Sequence, residues 1–167
     1  MKSGREGPRY NVFMNWKIAL LVVVGVVLLP VAALALLSAF SRRPSNLGVI
    51  DGRLAPCPES PNCVSTQAQD AVHRMEPISY SGSAEDARAR IKALIASRPR
   101  TKIVTEKGNY LHVEFVSALF RFVDDVEFLI DESNGNIDFR SASRVGYGDL
   151  GANRKRMEAI AAEFSAQ

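Results

Sequence analysis

Cysteine and histidine are scarce in this chain, which holds two of each among its 167 residues. Zinc sites in proteins combine several such side chains at short, regular spacings. Cys57 and Cys63 lie six positions apart, and His73 and His112 stand at no recognised ligand spacing from them. The sequence therefore predicts no metal site, and the two thiols also lack the CxxC spacing of redox proteins.

The chain also lacks a charge imbalance in the part that could fold. Residues 41–167 carry 17 basic and 17 acidic side chains, so the net charge of +3 comes from residues 1–40. A nucleic-acid-binding domain carries its basic excess in the folded region. We therefore expect no nucleic-acid partner, and we attribute the basic excess to an arm beside a membrane.

Recognised catalytic and cofactor signatures are missing as well. The sequence contains no GxSxG, no HExxH and no phosphate-binding glycine loop, and Gly146, Gly148 and Gly151 do not form a dinucleotide fingerprint. No cofactor is predicted. An enzymatic function would have to rest on a cluster of polar side chains alone.

No charged residue occurs in the 23 residues from Ile18 to Phe40. At ~1.5 Å per residue, a helix of this length spans a hydrocarbon core of roughly 30 Å. Trp16 and Lys17 suit one interface, and Arg42 and Arg43 suit the other. We predict a transmembrane helix, either an anchor or an uncleaved signal anchor.

A cleaved signal peptide is the alternative, with a small-residue site at Val31-Ala-Ala33 or Ala33-Leu-Ala35. Four basic residues precede the span, which favours a cytoplasmic N-terminus. The predicted organisation is a basic cytoplasmic N-terminus over 1–17, a membrane helix over 18–40, a polar tether over 41–53 and a soluble domain over 54–167. The soluble domain is then periplasmic or in an equivalent compartment, and a secreted form is the alternative.

Three prolines between Pro56 and Pro61 exclude a helix there and favour a tight loop that includes both cysteines. In an oxidising compartment, a disulfide between Cys57 and Cys63 is the favoured interpretation. Free or metal-linked thiols and redox chemistry are the alternatives at this point.

The remaining pattern predicts an α+β domain. Ser83 and Asp86 form a capping box at the start of a helix that ends before Pro99. Alternating residues then predict strands over 102–106, 110–116, 120–130 and 136–143, with turns at Lys107-Gly-Asn and Ser133-Asn-Gly. A last helix follows over 153–164. We expect an antiparallel sheet of about four to six strands, covered on its apolar face by two helices.

Asp124 breaks the alternation of its strand. It occupies a position that points to the same face as the apolar residues, whereas Asp125 points to the other face. An unpaired carboxylate in a core costs several kcal/mol. Asp124 therefore needs a partner or a β-bulge, and we favour the bulge. The last helix carries Arg154, Lys155 and Arg156 in its first turn, which opposes the helix dipole and predicts a charged partner there.

Polar residues concentrate in the last two strands and in the loop that follows them. The candidate ligand-binding residues are Arg121, Asp124, Asp125, Arg140, Ser141, Ser143, Arg144, Tyr147, Asp149, Asn153 and Arg154. Three interpretations are open: a salt-bridge and capping network that holds the loop, an anion site beside the helix N-terminus, or catalysis.

Three stretches of the sequence occur together in order: CPESPNCVS from Cys57, FRFVDDVEF from Phe120 and RSASRVGYGDLGANR from Arg140. They resemble a catalogued domain-of-unknown-function family, number 1499, over Leu54–Phe164. The resemblance implies a domain of bacterial and plastid proteins, often behind a membrane or export segment. It implies no established catalytic residues.

The first functional hypothesis is a membrane-anchored binding or accessory module of the cell envelope. Its expected partners are the membrane and either an envelope protein or an anionic small molecule. The alternative is a hydrolase-like enzyme, with Asp124 or Asp125 as the base and Arg140 and Arg144 as an anion clamp. An unpaired carboxylate beside these arginines would favour the enzyme, whereas complete pairing of the charges would remove its support.

Overall fold

The computed structural model describes residues 15–166, so the predicted basic N-terminus lies almost wholly outside the described residues. The described chain divides into two compact units between Leu34 and Ala35. Helix α1, Trp16–Ala39, is long and apolar enough to cross a membrane. Signal sequences meet the same criterion, so length and composition leave both predicted forms of the segment open.

The second unit contains the α+β domain. Its elements in chain order are β1 Val49–Ile50, β2 Arg53–Leu54, β3 Cys63–Ser65, β4 Ile78–Ser79, α2 Ala84–Ala96, β5 Thr101–Lys107, β6 Tyr110–Val116, β7 Val123–Asp131, β8 Asn136–Ser143 and α3 Ala152–Ser165. β1 and β2 form a short hairpin, and the other strands form one antiparallel sheet in the order β3-β8-β7-β6-β5, with β4 also paired to β8. The predicted fold class is confirmed.

One face of the sheet packs against both helices. α2 buries Ile91, Leu94 and Ile95, and α3 buries Ile160 and Phe164. The sheet contributes alternate residues of three strands: Leu111, Val113, Phe115, Val126, Phe128, Ile130, Ile137 and Phe139. The predicted alternation is therefore confirmed, because residues two apart on a strand point to the same face.

The start of β7 differs from the prediction. The strand begins at Val123, and residues 117–122 form a turn in which the Phe122 N–H donates to Ser117 Oγ at 2.8 Å. The expected bulge at Asp124-Asp125 was wrong: throughout β7, all of which is described, the register with β6 and β8 is continuous. Asp124 is accommodated by a charged partner from α3 instead.

The opposite face of the sheet carries charged residues, and residues 43–54 lie over it. The sequence predicted a polar tether over most of this range. In the structure the Gly48 N–H donates to Glu127 Oε1 at 2.7 Å, and the Leu54 N–H donates to Gln67 Oε1 at 2.9 Å. Leu54 itself is buried. The sheet is thus covered on both faces, by helices on one and by this N-terminal segment on the other.

Candidate functional site

The candidate residues gather near one end of the sheet, but on both of its faces. Asp124, Ser141, Ser143 and Asn153 belong to the helix face, with Asp149 at the start of α3, whereas Asp125, Arg140 and Arg144 belong to the charged face. Arg121 and Tyr147 are exposed outside both groups. Arg154 is half-buried and donates to the main-chain carbonyls of Val72 and Arg74.

On the helix face the polar residues hold α3 against the sheet. Arg156 Nη2 pairs with Asp124 Oδ2, and its guanidinium lies 4.8 Å from the centre of the Phe115 ring. Asn153 is fully buried; its Nδ2 donates to the Asn62 carbonyl at 3.1 Å and to Ser143 Oγ at 3.0 Å. The partner predicted for the basic first turn of α3 is therefore Asp124.

Asp149 lies just before α3 and binds main-chain N–H groups at its start. Its carboxylate accepts from the N–H groups of Gly151 at 2.9 Å and Asn153 at 2.7 Å. Burial opposes ionisation of this carboxyl, but the hydrogen bonds outweigh it and hold the pKa of Asp149 below its usual value. The helix-face group is thus a capping and packing network.

On the charged face, Arg144 binds two carboxylates that face each other across β6 and β7. It donates to Asp125 from Nε at 2.8 Å and from Nη2 at 2.7 Å, and it also donates to Glu114. His112 Nε2 lies 2.8 Å from Asp125 Oδ1, and Arg43 Nη2 lies 2.6 Å from Glu114 Oε1. Burial favours the neutral acids, yet the arginines hold the pKa of both Asp125 and Glu114 below the usual values.

Glu127 is the second centre of the charged face and is fully buried. Its Oε1 accepts from Tyr110 Oη at 2.7 Å and from the Gly48 N–H at 2.7 Å, and its Oε2 accepts from Arg140 Nη1 at 3.2 Å. Burial and the neighbouring Glu127 raise the pKa of Tyr110, so the phenol stays protonated and remains a donor.

Arg140 is the least satisfied member of this group. Its side chain is only 5% exposed, and among residues 15–166 its one hydrogen bond is the 3.2 Å contact with Glu127. Its Nε is buried without a partner in the described part of the chain. A guanidinium has five N–H donors, and buried polar groups in folded proteins are almost always paired. Arg140 therefore has N–H donors that no acceptor in the described part of the chain uses.

A cavity of about 370 Å³ adjoins this arginine. Arg140 and Arg144 contribute cationic groups to its lining, and Asp125 contributes a carboxylate. The rest of the wall is largely apolar and includes Pro44, Pro56, Pro58, Cys57 and Ala142. Pockets of this size accommodate small ligands, which such sites orient with a few polar groups.

The buried carboxylates near the cavity are all paired, and this pairing decides whether one of them is available as a base. Asp125 is bound by Arg144 and His112, Glu127 by Arg140 and Tyr110, and Asp124 lies on the opposite face with Arg156. Neither of the two candidate bases, Asp124 and Asp125, is the unpaired carboxylate that would favour an enzyme. Within residues 15–166 no three His, Cys, Asp or Glu side chains are grouped to hold a metal ion.

Cys57 and Cys63 form a disulfide, with Cα atoms 5.7 Å apart. Cys63 pairs with Ala142 across β3 and β8, so the bridge joins the proline-rich loop to the sheet beside the cavity. Of the interpretations that the sequence left open, the structural disulfide is the one observed.

Comparison of the sequence with known protein families assigns the chain to one of them. Residues 53–164 match the family described as Protein of unknown function (DUF1499). The chain belongs to this family. No curated protein and no solved structure matches the chain.

The DUF1499 match includes the disulfide, the sheet and both domain helices, but it begins after Arg43 and Gly48. The charged face is thus completed by residues that precede the matched region. The predicted site did not include Arg43, Gly48, Tyr110, His112 and Glu114. The last three alternate with the apolar residues of β6, and this signal could have identified them.

Proposed function

We propose that this protein is an extracytoplasmic binding or accessory module of the cell envelope, held at a membrane by α1. Its ligand is a small anion that enters the cavity beside Arg140 and Arg144. The hydrolase-like alternative needed an unpaired carboxylate, and the pairing of Asp124 and Asp125 leaves it without that support.

Two observations support the location. α1 has the length and apolar composition of a membrane span. The disulfide between Cys57 and Cys63 is of a kind that persists in oxidising compartments and is rare in the cytoplasm. Both observations agree with a domain outside the cytoplasm.

The binding proposal rests on the unmet donors of Arg140. A buried guanidinium with a single 3.2 Å hydrogen bond is incompletely paired, and an anion is the ligand that best satisfies planar N–H donors. The apolar part of the wall would bury a short hydrocarbon body. A small carboxylate therefore fits the lining better than a fully hydrated inorganic anion does.

Location is tested with a reporter enzyme that is active only outside the cytoplasm, fused after Gln167. We expect activity from this fusion and none from a matched fusion of a reporter active only in the cytoplasm. The reverse result would contradict the proposed topology.

Binding is tested by thermal unfolding of the full chain in detergent, with acetate, butyrate, phosphate or sulfate at constant ionic strength. Ligands that bind the folded state raise Tm as their concentration rises. We expect butyrate to raise Tm most, and Arg140→Gln to abolish the rise. Lys155→Gln is the matched control, because Lys155 is exposed on α3 and does not line the cavity. The binding proposal fails if no anion raises Tm, or if both variants respond alike.

A further inference from the structure

One end of the sheet carries three large apolar side chains that are almost fully exposed. We call it the loop end and define it as Arg100, the β6–β7 turn 117–122 and the β8–α3 loop 144–151. Leu119 is 78% exposed, Tyr147 is 79% exposed and Leu150 is 98% exposed. They lie on two separate loops at the same end, since Val116 pairs with Val123 and Asp124 pairs with Ser143.

Backbone strain is concentrated at the same end. Within residues 15–166, four non-glycine residues have positive φ, and Arg100, Arg121 and Leu150 are three of them, with values of 58°, 60° and 55°. A bulky residue is uncommon in this region and costs energy there. Leu150 adopts it while burying almost none of its own side chain, so packing within the domain does not explain the conformation.

The chain enters the domain near the loop end. Arg43 contacts Glu114, which is two residues from the end of β6, whereas Gly48 contacts Glu127 further along the sheet. Leu54 contacts Gln67, and Gln67 binds Asp138. Asp138 lies further from the loop end than Glu127 does. Only two residues separate Phe40 from Arg43, so at most about 11 Å of extended chain joins them. The end of the apolar segment is therefore tied close to the loop end.

Charge at the loop end suits an anionic surface. Arg100 and Arg121 are exposed, and in the described part of the chain neither forms a side-chain salt bridge. Asp149 is engaged at the start of α3, and Glu59 on the disulfide loop is an exposed acid nearby. Exposed arginines beside apolar loop tips are the combination that favours a lipid headgroup layer.

We propose that the loop end lies against the bilayer surface, with Leu119, Tyr147 and Leu150 in the headgroup layer and Arg100 and Arg121 beside lipid phosphates. This inference rests on the proposed membrane anchoring by α1. The domain then lies on the membrane rather than projecting from it. The β5–β6 turn at the opposite end of the strands faces the aqueous phase.

The test uses the single tryptophan of the chain, Trp16, and quenching by lipids with brominated acyl chains. The full chain is reconstituted into vesicles of phosphatidylglycerol and phosphatidylethanolamine. Three variants in a Trp16→Phe background move the reporter: Tyr147→Trp and Leu119→Trp at the loop end, and Lys107→Trp at the opposite end. Lys107 is exposed, so its replacement is a matched control.

We expect the brominated lipids to reduce the tryptophan fluorescence of the parent chain, Tyr147→Trp and Leu119→Trp, because side chains at the headgroup boundary lie close to the acyl chains. The fluorescence of Lys107→Trp should be unaffected. Equal quenching of all three variants, or none in any of them while Trp16 is quenched, would overturn the loop-end contact and leave the anchor standing. Absence of Trp16 quenching in the parent chain would overturn the anchor, and the loop-end contact with it. Near-ultraviolet circular dichroism of each variant confirms that it has folded.

Discussion

Arg144 donates two parallel hydrogen bonds to Asp125, from Nε to Oδ2 at 2.8 Å and from Nη2 to Oδ1 at 2.7 Å. The same guanidinium donates to Glu114, which pairs directly with Asp125 across β6 and β7. Like charges opposed on neighbouring strands are destabilising. Arg144 therefore joins two carboxylates that would otherwise repel each other inside the fold.

Replacing Arg144 is expected to destabilise the domain strongly. Arg144→Met should lower the free energy of unfolding by about 3–5 kcal/mol, because it leaves the buried Asp125 and the half-buried Glu114 each short of a partner. Denaturant unfolding of the full chain in detergent measures the change. Lys155→Met, at an exposed position of α3, is the control and should alter stability by no more than about 0.5 kcal/mol, as exposed substitutions usually do. Similar losses in both variants would contradict the central role of Arg144.

Stability should fall at acidic pH. The folded-state pKa values of Asp125 and Glu114 lie below their ordinary values of 3.8 and 4.5. The unfolded chain therefore takes up protons first, so stability is constant above about pH 5 with respect to these groups and is lost as pH falls toward the depressed folded-state pKa values.

The Asp125→Asn variant tests this pH dependence. It should be less stable at pH 7 and should lose less on acidification, whereas Glu59→Gln, at an exposed site, should keep the parent profile. Unfolding titrations between pH 3 and pH 7 provide the comparison. If Asp125→Asn loses as much stability between pH 7 and pH 3 as the parent chain does, other carboxyl groups cause the acid sensitivity.

Asp124 and Arg156 should be energetically coupled. A double-mutant cycle with Asp124→Asn and Arg156→Met should give an interaction energy of about 0.5–3 kcal/mol, since the two groups are in contact and largely buried. Arg74 and Glu76 supply a matched exposed pair at 3.5 Å, for which the same cycle should give less than about 1 kcal/mol. If the interaction energy of Asp124 and Arg156 is no larger than that of the control pair, the contact between them contributes little to stability.

The disulfide should be present in the protein as it is made in cells and should stabilise the domain modestly. Protein isolated without reductant should resist alkylation at Cys57 and Cys63 until it is reduced, as mass spectrometry would detect. Because the closed loop is short, loss of the bridge in the Cys57→Ser, Cys63→Ser double variant should cost about 2 kcal/mol in the chain-entropy model. Alkylation of both thiols without prior reduction would contradict an oxidised state.

The fold was largely predictable because its signals are local. The cap at Ser83, the alternation along β6 and β8, and the glycine turn after Ser133 each depend on residues close in sequence. β7 was the exception, because a carboxylate at Asp124 looked incompatible with a core strand. Its partner Arg156 lies 32 residues away on a helix, and no local pattern predicts that pairing.

The candidate site was predicted less well than the fold. The predicted site contained Asp124, Asp125, Arg140 and Arg144 as one group. In the strand, neighbouring residues point to opposite faces, so Asp124 and Asp125 lie on different sides of the sheet. The contribution of residues 43–54 could not be predicted, because a short polar segment gives no signal for the surface on which it packs. The unused N–H donors of Arg140 could not be predicted either, because the distances to possible acceptors are set only by the folded chain.

Arg43 and Gly48 lie downstream of both candidate signal-peptidase sites, which end at Ala33 and Ala35. A protease acting at either position would release the domain with every contact of the charged face intact. An anchored form and a shed form would therefore carry the same cavity and the same stability, and would differ only in whether the loop end is kept beside a bilayer. Cleavage would change where the domain works without changing what it recognises.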